Sequence, residues 1–311
     1  SLIKSIDFLS KFIHPDGSVG GAYGSRDTSF LAPYGFASNI EKSAKSVAIL
    51  NHVFLNKNSD INKFIDDRYI CHFILPSYLL SLKNIDKIKQ SEIDQLPFNN
   101  NFTKYYTDSG LYIKSSTNYY MIINLKKNGV LNLFQKNFPN SLLDSGYLIK
   151  DKEDLFITNC LNNISKINIQ DDEINVTGKF FSTSNKVPSS ITHAMLRILT
   201  YFGKGKILPI LKKYFILRNK PHSFSSSRTI KFDVNNILIT DRLYDFRGRV
   251  ISIYKSNPST TFRYVAPSNY FNLGEIQNFS DDLDIKASKM DRIKIERVID
   301  IKSFNITENS I

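Results

Sequence analysis

The sequence predicts a mainly β fold: a large antiparallel β-sandwich over residues 91–311, preceded by a short helical segment over residues 1–90, with one interrupted helix inserted late. Three observations lead there. From residue 101 onward, short runs rich in β-branched and aromatic residues recur, separated by turn residues, at the spacing of a sandwich rather than of βαβ units. Asn128-Gly129 lies between two such runs and is a strong hairpin signal. Helical periodicity, by contrast, dominates before residue 85 and returns only near residue 190.

The elements follow in order. Residues 3–13 form an amphipathic helix with Ile3, Ile6, Phe8, Leu9, Phe12 and Ile13 apolar, and they lack a signal-peptide apolar region. The abrupt start leads us to expect that upstream sequence is missing or processed away. Residues 14–37 are a long Gly-rich segment, and four of the 13 glycines fall within Gly17–Gly24. A second helix is expected over 38–56, capped by Ser38 with Glu41 completing a capping box. A third is expected over 60–84, with Pro76 kinking or breaking it. Residues 85–100 look like a polar linker. Strands then follow through LYIK, NYYMIINL, NGVLNLF, GYLIK, DLFITNCL and KINIQDDEINVTGKFF, with Asp171-Asp172 as a weaker hairpin signal. The interrupted helix occupies 189–218. Strands resume at RTIKFDVNNILITDRL and continue through VISIYK, TFRYVA and DRIKIERVIDIKSF.

Composition narrows the function. The net charge of +12 favours polyanionic partners, with the basic residues scattered rather than collected in a tail. No RRM, KH, OB or helix-turn-helix signature supports nucleic acid. No run of 18 apolar residues is present, so no membrane span is expected. Cys71 and Cys160 make no CxxC pattern, and their apolar flanks suggest buried thiols rather than a disulfide scaffold. No two histidines stand at i, i+4, so no metal site is expected. Asp281, Asp282, Asp284 and Asp291 lack the alternating ligands and Gly turn of a calcium loop and read as a solvated loop. DGSVGGAYG is neither a dinucleotide fingerprint nor a P-loop, and no cofactor is implied. Tyr105-Tyr106 and Tyr119-Tyr120 place one ring on each face of a strand, either as a sugar-stacking platform or, more commonly, with one ring in the core and one covering the surface.

Several motifs together resemble a family. The segment Gly20-Gly21-Ala22-Tyr23-Gly24-Ser25-Arg26-Asp27-Thr28 with Tyr34-Gly35-Phe36, then Asp144-Ser145-Gly146-Tyr147-Leu148-Ile149 and its upstream echo Asp108-Ser109-Gly110-Leu111-Tyr112, the helix 192–218, Arg228-Thr229-Ile230-Lys231-Phe232, and Arg263 through Phe271 run in a consistent order. They resemble heparinase II/III-like proteins of the polysaccharide lyase superfamily, in their C-terminal portion. Such proteins carry a long (α/α) toroid before the sandwich, and that toroid supplies most of the catalytic groups. Three helices precede the strands here, so the chain is expected to be a fragment or a reduced relative.

The resemblance implies binding or β-eliminative cleavage of an acidic, uronic-acid polysaccharide, in an extracytoplasmic compartment, and without a metal. The alternative is a non-catalytic carbohydrate-binding or structural β-sandwich module. β-Elimination needs a group to neutralise the uronate carboxylate, a base for the C5 proton and an acid for the leaving O4. Tyr23, Tyr34 and His14 are the candidate catalytic residues. Arg26 and Asp27 are candidate substrate-binding residues, with Arg26 holding a carboxylate or sulfate. Tyr and Arg in an ordered loop also pin such loops to the body of a protein, through Asp27 or Asp16, and both readings stay open. His222, in the loop KPHSFSSSR, and the nearby Arg228 complete the candidate substrate-binding set. His52 and His72 sit in helical, apolar surroundings, and His193 at a helix start.

Overall fold

The computed structural model describes residues 2–24, 31–55, 75–90, 94–136, 138, 140–152, 154–161, 165–183, 191, 194–195, 197–198, 201, 221–233, 235–248, 251–256, 280–287 and 291–310. It is mainly β, with antiparallel sheets, one of them curled into a half-barrel, and a few helices at the N-terminal end. The predicted fold class therefore stands.

The helical segment is more broken than its periodicity suggests. Helix α1 spans Leu2–Ser10, and Ile13 then bridges Val19 across the first Gly-rich turn. Helix α2 is the short Tyr34–Ala37, and a 3-10 turn covers Ile40–Lys42. Helix α3 spans Ala44–Ile49 and runs on as a π-helix over Leu50–Leu55. The single helix expected over 38–56 is thus divided, because Ser43 and not Ser38 is the cap before the apolar run. Ser43 is extended (φ −153°), and its Oγ accepts the Ser46 N–H at 3.3 Å. Helix α4 spans Leu75–Leu82 and α5 spans Ile85–Gln90. Pro76 is the second described residue of α4, and the part of the expected helix 60–84 that precedes Leu75 lies outside the described residues. The expected linker 85–100 is not merely polar: Ile88, Leu96 and Phe98 are buried, and the last two pin a 3-10 turn over Pro97–Asn99. Helix α4 turns Ser77 and Ser81 inward and leaves Leu75, Leu79, Leu80 and Leu82 exposed, and the Ser77 Oγ accepts the Tyr34 N–H.

Strands β1 (Phe102–Tyr106), β2 (Leu111–Ser115), β3 (Tyr119–Asn124), β4 (Val130–Gln135) and β5 (Ser141–Asp144) form the first sheet, as an antiparallel meander in sequence order. The larger sheet contains β6 (Tyr147–Asp151), β7 (Asp154–Ile157), β8 (Lys166–Ile169), β9 (Glu173–Thr183), β10 (Pro221–Phe232), β11 (Asn236–Tyr244), β12 (Ile251–Lys255), β13 (Ser280–Ala287), β14 (Arg292–Asp300) and β15 (Ile306–Ser310). Its order is β13-β12-β6-β7-β9-β10-β11-β14-β15, with β8 added to β9. The curl brings its two ends together, and Lys255 on β12 pairs with Glu308 on β15 at 2.9 Å.

Both hairpin signals are genuine, and the weaker one makes the tighter turn. Asp171-Asp172 is a two-residue loop between Gln170 and Glu173, whose backbones hydrogen-bond to each other in both directions. Asn128 (φ 54°) and Gly129 (φ 81°) both take the left-handed conformation, but they end a five-residue loop that begins with a 3-10 turn over Leu125–Lys127.

Three strand expectations need correction. β10 begins at Pro221, so His222 lies in a strand and not in a loop. There Phe224 is fully buried against the rings of Phe156, Phe180 and Phe246, which outweighs the turn character of its serines. Asp281, Asp282 and Asp284 lie on β13, paired with β12, rather than in a solvated loop. β15 extends the sheet beyond the last strand expected. Of the predicted helix 189–218, only Ile191, Ala194, Met195, Arg197, Ile198 and Tyr201 are described, all helical and exposed. TFRYVA lies outside the described residues.

Strand parity explains the layering. On β3, Tyr120 and Ile122 point to the helices, while Tyr119, Met121 and Ile123 point to the larger sheet. The same division holds for Ile113 against Tyr112, and for Val130 and Phe134 against Leu131 and Leu133. The central strands β2, β3 and β4 of the first sheet are therefore buried on both faces, and no residue of β3 is exposed. The helical segment shares one core with it. On the larger sheet, one inward row packs Ile174, Val176, Ile230, Phe232, Ile237, Ile239 and Ile299 against the first sheet. The continuation of that row packs Phe180, Phe224, Leu243, Ile293 and Ile295 inside the curl, against Tyr147, Ile149, Phe156, Ile251 and Ile253.

Candidate functional site

The Gly-rich segment brings two of the three candidate catalytic residues together. His14 and Tyr23 are both buried, and the His14 Nε2 lies 2.9 Å from the Tyr23 hydroxyl. On the other side of the ring, His14 Nδ1 lies 2.8 Å from Ser18 Oγ. Ser18 Oγ donates to Asp16 Oδ1 at 2.6 Å, and the Ser18 N–H donates to the same oxygen. A carboxylate only accepts, so the Ser18 hydroxyl proton is committed to Asp16. Ser18 Oγ must then accept from His14, which places the imidazole proton on Nδ1. Nε2 is left with its lone pair, and the Tyr23 O–H donates to it. The result is a directional chain from the buried phenol, through a neutral imidazole and a serine hydroxyl, to an exposed carboxylate.

The surroundings enforce that neutrality. Burial pushes His14 down to about 4, with Asp16 opposing the shift and His52 adding to it. Burial likewise holds the Tyr23 phenol well above its ordinary value. The His14 ring stacks on Phe134 at 4.1 Å between centroids, and His52 donates to the His14 carbonyl at 2.8 Å. The loop is anchored from below as well: Asn124 Nδ2 donates to the Tyr23 carbonyl at 2.6 Å, and Lys127 Nζ to the Ala22 carbonyl at 2.7 Å.

Beside this network lies an open cleft of about 400 Å³, bordered by Pro15, Phe98, Asn99, Asn100, Asn101, Thr117 and Lys136. Three of its lining residues adjoin the His14 network. Pro15 follows His14 in the chain, Phe98 packs its ring 5.0 Å from His52, and Lys136 lies two residues beyond Phe134. The Lys136 backbone N–H donates to the Asn118 carbonyl, which fixes the main chain at the rim. Half-burial lowers the Lys136 ammonium from its ordinary value, and no carboxylate pairs with it among the described residues. The residues of this cleft carried no sequence signal beyond the LPFNNN composition of an expected linker end.

The remaining candidates are dispersed. Tyr34 is exposed on α2, and no described contact joins it to His14 or Tyr23. Arg26 and Asp27 lie outside the described residues, as do Cys71, His72 and His193. Cys160 is buried with Leu148, Ile157 and Phe181. The His222 ring packs 4.1 Å from Phe156 and 4.2 Å from Phe224, and its Nδ1 accepts the Phe224 N–H.

Arg228 is placed in the interior, facing other protein groups and not a cleft. Its Nε and Nη2 form a bidentate pair with Asp241 at 2.7 and 3.0 Å, Nη1 donates to the Gly129 carbonyl at 2.8 Å, and Nη2 also reaches Asp144 at 3.1 Å. Arg297 bridges the same two carboxylates, and the Tyr147 hydroxyl donates to Asp241 at 2.8 Å. Two arginines and two aspartates thus balance. Burial alone raises the Asp144 carboxyl, but Arg228 and Arg297 more than offset it and hold the group well below the usual carboxylate range. A parity signal marks this cluster in the sequence. Arg228, Asp241 and Arg297 occupy the inward row of β10, β11 and β14, alternating with Ile230, Ile239 and Ile295. Charges on a buried row predict partners there.

Among the described residues, no group of three or more His, Cys, Asp or Glu could hold a metal ion. No helix among them is long and apolar enough to cross a membrane. Comparison with protein-family models, curated proteins and solved structures finds no match.

Proposed function

We propose that this protein binds acidic, uronic-acid polysaccharide, as the resemblance to heparinase II/III-like proteins implies, with the cleft at Lys136 as the contact. The observation that carries this reading is an open polar cleft whose one lining cation has no described carboxylate partner. Asn99, Asn100, Asn101 and Thr117 are exposed and offer donors and acceptors suited to sugar hydroxyls. The net charge of +12 favours approach of a polyanion.

Cleavage is the second reading, and the Tyr23–His14 hydrogen bond favours it, since a phenol and an imidazole are the acid–base pair such an elimination uses. Both groups are buried, however, and a buried pair does not reach the C5 proton or the O4 of a bound sugar. Binding without turnover therefore ranks first.

Calorimetric titration with oligouronates tests the binding, and ultraviolet absorbance of the unsaturated product tests the cleavage. Expected are saturable binding of acidic oligomers, weaker binding of neutral ones, and flat absorbance. Equal affinity for neutral and acidic oligomers overturns the reading.

A further inference from the structure

We infer that the Lys136 cleft is a single-carboxylate subsite, suited to an unsulfated uronan and not to a densely sulfated chain. The inference rests on the acidic-polysaccharide reading and sharpens it to a ligand class.

The composition of the lining carries it. Of the seven bordering residues, Lys136 alone is charged, and Pro15 and Phe98 add apolar wall. The other four are neutral and both donate and accept hydrogen bonds. An uronate places one carboxylate and several hydroxyls on each ring. The carboxylate takes the ammonium and an amide N–H, and the hydroxyls meet the remaining amides and Thr117. A heavily sulfated chain places two or more anions in the same volume. One meets Lys136, and the next must give up water beside amide oxygens with no second cation in the lining, which is unfavourable. The scattered surface charge would favour the more anionic chain at low salt, but that attraction is screened beyond roughly 8 Å at physiological ionic strength. Short-range matching then decides.

Lys136 also makes a clean test site. Its side chain has no described hydrogen bond or ion pair to lose, so Lys136→Met removes the charge and leaves the fold intact. Thermal melting checks the fold of the variant directly. The ligands are an unsulfated oligouronate, an O-sulfated oligomer of the same backbone and length, and the methyl ester of the unsulfated oligomer. All are titrated near 0.15 M salt. Expected is a loss of at least tenfold in affinity for the methyl ester and a similar loss for Lys136→Met with the free acid. The two losses should not add, because each removes the same contact. The sulfated oligomer should bind no more tightly than the unsulfated one. If the sulfated oligomer binds tenfold tighter, or if Lys136→Met binds the free acid unchanged, the subsite is wrong while acidic-glycan binding survives. If no acidic oligomer binds at all, the underlying reading falls and the subsite falls with it.

Discussion

Two polar networks are buried in this molecule, one between the helices and the first sheet and one between the two sheets, and opposite means make their burial tolerable. The Arg228–Asp241–Arg297–Asp144 cluster keeps its charges and cancels them, two against two, with Tyr147 and the Gly129 carbonyl filling further positions. The Tyr23–His14–Ser18–Asp16 chain keeps its interior neutral and passes hydrogen bonds outward to a carboxylate in water. A charge-balanced cluster fails when one member is lost, because the survivors are charged and dry. A neutral chain fails gradually, and it fails with pH.

That contrast orders the expected effects. The largest belongs to Asp241→Ala, which strips both arginines of one of their two shared carboxylates and should cost about 3–5 kcal/mol in denaturant unfolding. Replacing all four charged residues together by apolar residues of similar volume should cost far less, since no unpaired charge remains. A quadruple variant as unstable as Asp241→Ala would show that the cluster's geometry, and not its unpaired charge, sets the penalty.

Next comes acid. His14 in the folded state sits at about 4, below its unfolded value of roughly 6.5, so the unfolded chain binds the proton first. Stability contributed by neutral His14 is complete above pH 6.5 and declines as pH falls toward 4, by roughly 3 kcal/mol in total. Asp16, His52 and Tyr23 face this ring and shape the window. Asp144, held low, contributes a second decline only below the ordinary carboxylate range. His14→Gln should flatten the upper window and leave the lower one, as read by unfolding free energy against pH. A slope between pH 4 and 6.5 that survives in the variant would assign it to another group.

Smaller still is Tyr23→Phe, which keeps the packed ring and removes one buried hydrogen bond, for about 1 kcal/mol. Smallest is Lys136→Met, where stability should stay within about 0.5 kcal/mol of the parent in the same melts.

Much of this was legible in the sequence, and what was not has specific causes. Alternation found most strands of both sheets, because their inward rows are largely apolar at period two, but it did not find β5, β13 or β15. It missed the start of β10, where buried serines stand at strand positions and Phe224 is the one buried apolar residue. The pairing of His14 with Tyr23 was within reach, since nine residues rich in glycine can fold one onto the other. The placement of Arg228 was legible too, but only by parity: a cation alternating with Phe224, Ile230 and Phe232 faces inward. The cleft was not legible, because Asn99–Asn101, Thr117 and Lys136 come from separate segments that only the meander brings together.

The central strands of the first sheet, packed on both sides, have one more consequence. A sheet with one wet face keeps its strands aligned because sliding by one residue would turn its apolar side to water. Here both sides are dry and apolar, so sliding β3 or β4 by one place exchanges oil for oil and meets little resistance from burial alone. Alignment must come from the few polar groups that have a single correct address. Ser115 reaches the Phe98 carbonyl, Asn124 that of Tyr23, Lys127 that of Ala22, Asn128 that of Thr158, and Gln135 those of Ile301 and Lys302. These groups act as keys in fitted locks. They add little net free energy to the fold, yet a chain shifted by one step would strand every one of them in hydrocarbon.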